Sequence, residues 1–98
     1  MIYVIATSQL LDGTRDEFLI AAQICVEATR LEPGCISYDL NLSTSDPLRV
    51  TFVERWESRE ALNAHFSAPH FKTFRVTAVE CIASRKVEII SPASVEVL

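Results

Sequence analysis

Several features that would assign a chain to a familiar class of protein are missing from this sequence. Nine Lys and Arg residues stand against thirteen Asp and Glu, which gives a net charge of −4. The chain therefore lacks the positive surface that nucleic acids and anionic membranes require. It has no apolar run near the roughly 20 residues of a membrane span. Its first six residues lack the basic region of a signal peptide and indicate a strand. We expect neither a nucleic-acid partner nor a membrane partner.

Motifs for bound cofactors are missing as well. There is no G-x-G-x-x-G, no P-loop and no G-x-S-x-G, so we expect no nucleotide or flavin cofactor. The three cysteines, Cys25, Cys35 and Cys81, are odd in number, widely spaced and without a C-x-x-C pair. This spacing predicts reduced thiols, without an intrachain disulfide, in a cytoplasmic protein. Two histidines without a third ligand at metal spacing predict no metal site.

What the sequence does contain is an alternation of strand and helix patterns along residues 1–98. The order of these patterns is β-α-β-β-α-β, which predicts one α+β domain of the ferredoxin-like type with its helices on one face of the sheet. The predicted strands cover residues 2–8, 35–42, 49–56 and 85–91. The predicted helices run from Thr14 to near Leu31, from Arg59 to about Phe66 and, restarting at Pro69, to about Ile82.

Local signals set the predicted helix starts. Thr14 followed by Glu17 matches a capping box, in which the hydroxyl and the carboxylate each bond a free backbone N–H. Ser58 is a favourable N-cap for the second helix. Pro69 suits the first position of a restarted helix, because its missing N–H would have no partner there.

The hydrophobic content also bears on assembly. It is 49% of only 98 residues, which is more than one small core needs. An antiparallel sheet with helices on one face leaves its other face in need of cover. We expect that cover to be a second copy of the chain, in a homodimer.

Strand alternation gives the first candidate residues. In the second strand Ile36, Tyr38, Leu40 and Leu42 are predicted to share one face, and in the third strand Val50, Phe52, Glu54 and Trp56. If the apolar face meets the helices, Glu54 is buried and needs a partner. It is either a structural carboxylate or the acid of a pocket. Trp56 either packs in the core or lines that pocket for a flat ligand.

The only histidines, His65 and His70, flank the break at Ala68-Pro69. On one unbroken helix, residues five apart would point to different sides, whereas the break allows the two rings to converge. Histidine is the natural proton acceptor near neutral pH. The alternative is that both are ordinary surface residues at a helix corner.

The segment from Phe52 to Lys72 carries a resemblance to a known family. Its core, E-x-W-x-S-x-x-x-L-x-x-H-x-x-x-x-H from Glu54 to His70, resembles the signature of the antibiotic biosynthesis monooxygenase family. The step Glu32-Pro33-Gly34-Cys35 is similar to that family's E-x-G-C entry into its second strand. The order of elements agrees too, and the quinol monooxygenase branch looks most similar.

This resemblance implies a dimeric α+β barrel with a pocket between sheet and helices in each subunit. It also implies oxidation of a small quinol or phenolic aromatic by O₂ without a cofactor, because the ionised substrate supplies the electrons. We assign His65 or His70 as the catalytic base and Glu54 as the group that orients one of them. The substrate-binding walls are assigned to Trp56, Phe71 and Phe74.

Two other functions stay open. One branch of the family isomerises a phosphorylated sugar, so an isomerase of a small carbonyl or phosphosugar compound would use the same acid and base. A non-enzymatic ligand-binding dimer is the other alternative. Haem degradation is disfavoured, since Thr7 stands about where that branch has an asparagine and no histidine follows His70.

Overall fold

The structure, a computed structural model, describes residues 1–98 and contains four strands and three helices. The sheet is antiparallel throughout, and its strands lie side by side in the order second, third, first and fourth of the chain, as expected for the ferredoxin-like arrangement. The predicted α+β class is therefore confirmed. The elements are β1 (Ile2–Leu10), α1 (Arg15–Thr29), β2 (Cys35–Leu42), β3 (Arg49–Trp56), α2 (Arg59–Phe66), α3 (Pro69–Cys81) and β4 (Ile82–Ile90).

The core lies between the helices and one face of the sheet. In β3 the residues at even positions are buried and those at odd positions are half-buried or exposed. The predicted face of β3 is thus the inner one, and it includes the carboxylate of Glu54. In β1, Val4 lies opposite Glu54 and is also buried. Helices α1 and α3 cover this face, where Phe18 and Phe74 meet edge to face.

A bulge at the start of β2 breaks the predicted alternation. Cys35 lies opposite Trp56 and Ser37 opposite Arg55, so Ile36 is an extra residue in the ladder. The bulge moves Cys35 to the inner face and leaves Ile36 44% exposed. The prediction that Ile36 shares the inner face of Tyr38 is wrong, because one inserted residue reverses the side on which the preceding side chains lie.

The helix starts are partly as predicted. Ser58 Oγ accepts a hydrogen bond from the Ala61 N–H at 3.2 Å, and α3 begins at Pro69. The predicted capping box at Thr14 is absent, and that prediction is wrong, because the Thr14 side chain makes no capping hydrogen bond. Instead its hydroxyl lies 2.8 Å from the carbonyl of Leu11 and 3.2 Å from that of Cys81. Thr14 thus connects the start of α1 to the end of α3.

The outer face of the sheet carries no helix. Ile5 lies opposite Val53 on this face, and Tyr3 lies opposite Ile90. Val53 is 37% exposed and Ile90 38% exposed. None of the helices is long and apolar enough to cross a membrane. All three cysteines are free thiols.

Candidate active site

The site begins with the tight turn that joins α1 to β2. The carbonyl of Glu32 accepts the N–H of Cys35 at 3.2 Å, with Pro33 and Gly34 at the two central positions. Gly34 has a φ of +84°, which is the left-handed value that the second central residue of a type II turn requires. A Cβ at Gly34 would also lie only 2.6 Å from the Cβ of Ala61. Glycine therefore lets this turn press against α2.

This close approach places the Glu32 carboxylate between the two histidines. Its Oε2 atom lies 2.7 Å from His65 Nδ1 and 2.7 Å from His70 Nε2. An ionised carboxylate only accepts hydrogen bonds, so both ring nitrogens donate to it. The two rings lie 6.2 Å apart, which is the convergence that the break at Pro69 allows.

His65 is held by aromatic rings as well as by Glu32. The ring centroids of Phe71, Trp56 and Tyr38 lie 4.6, 5.0 and 5.3 Å from that of the imidazole. The side chain is only 1% exposed. Since Nδ1 donates to Glu32, Nε2 carries the lone pair of the neutral ring, and no protein group bonds to it. The ring is thus fixed in one tautomer and one orientation.

Glu54 makes a different contact from the expected one. Its Oε1 atom accepts a hydrogen bond from Trp56 Nε1 at 3.0 Å, and neither histidine bonds to it. The sequence assigns the orientation of a histidine to Glu54, but Glu32 makes that contact. From the sequence, Glu32 is predicted only to belong to the turn before β2 and to the motif that resembles the family. The signal in the sequence that could have indicated this role is the position of the Glu32 carboxylate, two residues before the turn glycine Gly34.

A cavity of about 530 Å³ opens in front of these groups, between the sheet and α3. This volume suits a small-molecule ligand. All five phenylalanines of the chain line it, together with Tyr38. Glu54, His65 and Tyr38 are the ionisable groups on its wall at the Val4 end, and Arg75 and Arg85 also border it.

The predicted site residues divide into two groups. Those that line the cavity are His65, Glu54, Phe71 and Phe74. Trp56 and His70 do not line it. Trp56, predicted to wall the pocket, is completely buried behind Glu54 and His65. His70 bonds to Glu32 from the outside, with 24% of its side chain exposed. Trp56 therefore contacts the lining groups Glu54 and His65, whereas His70 is connected to His65 through Glu32.

The surroundings change the acidity of the lining groups. Burial raises the pKa of Glu54 to about 7, against the lowering effect of the Trp56 hydrogen bond. Burial lowers the pKa of His65 and outweighs the raising effect of Glu32. Burial also raises the pKa of Tyr38, which keeps its phenol protonated. Near neutral pH the cavity thus contains a neutral imidazole and a carboxyl group that is close to half ionised.

Glu32, His65 and His70 also form a possible metal-ligand set. Their donor atoms all lie within 4.8 Å of one another. Two imidazoles and a carboxylate suit Zn²⁺ or Fe²⁺. A bound ion would have to replace the two N–H···O hydrogen bonds to Oε2. The two histidines lie close together in the sequence, whereas Glu32 joins them only in the folded chain.

Comparison with known proteins agrees with this architecture. The model of the family described as "Antibiotic biosynthesis monooxygenase" matches residues 1–77. "Uncharacterized protein sll1783" of Synechocystis is 38% identical over 60 residues, which are 61% of this chain and 41% of that protein. "Putative monooxygenase YcnE" of Bacillus subtilis is 30% identical over 70 residues, 71% of this chain and 74% of that protein. The match thus spans well under half the length of the first relative.

The solved structures extend the likeness to almost the whole chain. "Putative antibiotic biosynthesis monooxygenase from Nitrosomonas europaea" superposes with a TM-score of 0.91 at 26% identity, over 96% of this chain and all of that one. The family model covers more than half of the sequence, and the fold agrees over the remainder. The chain therefore belongs to the antibiotic biosynthesis monooxygenase family, and this membership supports a monooxygenase-like function.

Proposed function

We propose that the chain is a cofactor-independent monooxygenase that oxidises a small quinol or phenolic aromatic with O₂. One observation carries the proposal: an apolar cavity has on its wall a buried, neutral imidazole that is held by a carboxylate. A base with a fixed tautomer in a water-poor pocket is what deprotonation of a phenol requires.

The first step is removal of the substrate's hydroxyl proton. A phenol ionises near pH 10, so at neutral pH it has to lose its proton to a base before it can reduce O₂. His65 Nε2 is the atom that takes the proton, and Glu32 stabilises the resulting imidazolium through Nδ1–H. This arrangement follows the logic of a base oriented by a third group.

The substrate supplies all the electrons of the reaction. A phenol with a C–H bond opposite its hydroxyl reacts with one O₂ to give a quinone and one water. A hydroquinone reacts with one O₂ at a ring C–H to give a hydroxyquinone and one water. The four electrons that reduce O₂ come from the aromatic ring, so no external reductant is needed. The phenylalanine walls contribute by excluding water and by stacking on a flat substrate.

Oxygen uptake with a panel of hydroquinones tests the proposal. We expect consumption of one O₂ for each hydroxyquinone formed, without release of hydrogen peroxide and unchanged after dialysis against a chelator. Uptake that is lost on chelation and restored by Fe²⁺ would show that Glu32, His65 and His70 work as metal ligands. Tight binding without uptake would favour the non-enzymatic dimer.

A proton-transfer function is the second candidate. It is favoured by two groups that face the same cavity: Glu54, whose pKa burial raises to about 7, and His65, whose pKa burial lowers. Such a pair could move a proton between neighbouring carbons of a carbonyl compound or a phosphosugar. Deuterium exchange into an α-hydroxyketone without oxygen uptake would identify this activity.

We also propose that the protein acts as a homodimer through the outer face of the sheet. The support is the uncovered apolar pairs on that face, Ile5 with Val53 and Tyr3 with Ile90. Sedimentation at micromolar concentration should give twice the chain mass. Val53→Lys should shift the protein toward the monomer, because it places a charge in the interface. A monomer in the parent protein would contradict the proposal.

A further inference from the structure

We propose that the far end of the cavity binds an oxyanion, so that the substrate is an aromatic hydroxy compound with a carboxylate or phosphate group. The proposal deepens the function above and rests on the use of this cavity as the substrate site. It starts from the arginines. Of the seven in the chain, five donate hydrogen bonds to protein acceptors: Arg15, Arg30, Arg49, Arg55 and Arg59.

The two that remain, Arg75 and Arg85, are the two that line the cavity. Neither makes a side-chain hydrogen bond or an ion pair with the protein, although acidic residues outnumber basic ones. Both are exposed, so they lie at the cavity mouth. Unpaired guanidinium groups beside an apolar pocket are well suited to bind a carboxylate or a phosphate.

Their positions follow from the two elements that form the mouth. Arg75 lies one helical turn after Phe71 on α3, and therefore on the face that lines the cavity. Arg85 lies on β4 opposite Ser8 of β1, on the inner face of the sheet. Its neighbour Lys86 lies opposite Thr7 on the outer face. The cavity thus receives a cation from each side of its mouth.

Arg85 and the base lie toward opposite ends of the cavity, and Arg75 lies between them along α3. Glu54 lies opposite Val4 of β1, whereas Arg85 lies opposite Ser8. Four residues of strand separate these two rows by about 13 Å. His65 and Phe71 are in contact at the Glu54 end. A flat substrate can therefore place its hydroxyl at His65 and extend an oxyanion toward Arg85, past Arg75.

Equilibrium binding tests the inference without any turnover. The probe is 6-hydroxy-2-naphthoate, which holds a hydroxyl and a carboxylate at opposite ends of two fused rings. Its methyl ester has nearly the same outline and no charge. We expect the acid to bind at least about tenfold more tightly than the ester, as the loss of one charged hydrogen bond would predict. In a second arm, 2-naphthyl phosphate identifies which oxyanion is preferred, and tight binding of either anion supports the inference.

Variants locate the effect. Arg75→Gln and Arg85→Gln should each weaken binding of the acid about tenfold and leave that of the ester unchanged. The control variants are Lys72→Gln on α3 and Lys86→Gln on β4, which each remove one positive charge from an exposed residue that does not line the cavity. They should leave the binding of both the acid and the ester unchanged. Arg85→Lys should recover part of the affinity.

Three results would overturn the inference: neither anion binding more tightly than the ester, no binding of either anion at millimolar concentration, or the same loss in the lysine variants. The proposed oxidation is judged separately. Oxygen uptake without a preference for the acid would retain the function and remove the oxyanion subsite. A preference for the acid without oxygen uptake would retain the oxyanion subsite and remove the proposed oxidation.

Discussion

Two buried or half-buried carboxylates lie near His65, and their surroundings differ completely: Glu32 bonds to His65 itself, and Glu54 bonds to the neighbouring Trp56. Glu32 sits in a turn at the edge of the fold and accepts hydrogen bonds from two imidazoles. Glu54 sits in the middle of the sheet, 5% exposed, with one indole N–H as its partner. The first is surrounded by donors and the second by apolar groups. The same side chain therefore serves as an orienting anion at one position and as an acid with a raised pKa at the other.

Replacing His65, the histidine that lines the cavity, should have the largest effect. His65→Gln retains an N–H that can reach Glu32 but has no base, so turnover of a hydroquinone should fall by at least about 100-fold. His70→Gln is the matched control, because His70 contacts Glu32 without lining the cavity, and it should cost less than about tenfold. Steady-state oxygen uptake measures both, with circular dichroism as the check on folding. Equal losses in the two variants would remove the distinction between the histidines.

Glu54→Gln should change how stability depends on pH. The pKa of Glu54 is about 7 in the folded chain and near 4.5 for an ordinary glutamate. The folded state therefore holds the proton more tightly, and this residue's contribution to the free energy of unfolding falls as pH rises from about 4.5 to 7. Gln has no such proton and can still accept the Trp56 N–H.

The free energy of unfolding of the variant, relative to that of the parent, should thus rise by about 3 kcal/mol from pH 4 to pH 8. Urea unfolding of both proteins at the two pH values gives this change. The titration of His65 contributes equally to parent and variant and therefore cancels. A difference that stays constant with pH would mean that Glu54 titrates like an exposed glutamate.

Glu32→Gln should act on His65 and not on the substrate. Loss of the charged hydrogen bond should lower kcat roughly ten- to a hundredfold, since a bond to a charged group contributes about 1.5–3 kcal/mol. The carboxylate raises the pKa of His65, so its removal should move the acid limb of the pH–rate profile to lower pH. KM should change little, because Glu32 is not on the cavity wall. A rise in KM with an unchanged pH profile would assign Glu32 to substrate binding.

The smallest effect is expected at Trp56. Trp56→Phe keeps an aromatic ring behind the site and removes the N–H that bonds to Glu54. That hydrogen bond lowers the pKa of Glu54, so its loss should raise this pKa further. The free energy of unfolding should fall by about 1–2 kcal/mol. Carboxyl-carbon NMR follows the titration, and a pKa that moved downward would contradict the hydrogen bond as its cause.

The sequence alone determined the strands, the helices and their order, because these follow from local periodicity and from residues such as Ser58 and Pro69 that act on their immediate neighbours. It also determined that Glu54 and Trp56 share the inner face of β3, since alternation within one strand needs no tertiary information. It failed at Ile36, where a bulge depends on the neighbouring strand. It failed at Thr14 too, where the end of a distant helix accepts the hydroxyl.

The tertiary structure alone decided which carboxylate meets the histidines. Glu32 is 33 residues from His65 and 38 from His70, and nothing in the local pattern of either segment encodes their contact. The contact forms because Gly34 allows the turn to approach α2, which is a property of packing between elements. The same holds for Arg75 and Arg85, which lie on different elements and border one cavity only in the folded chain. Local chemistry sets which groups are available, and long-range packing sets which of them can act together.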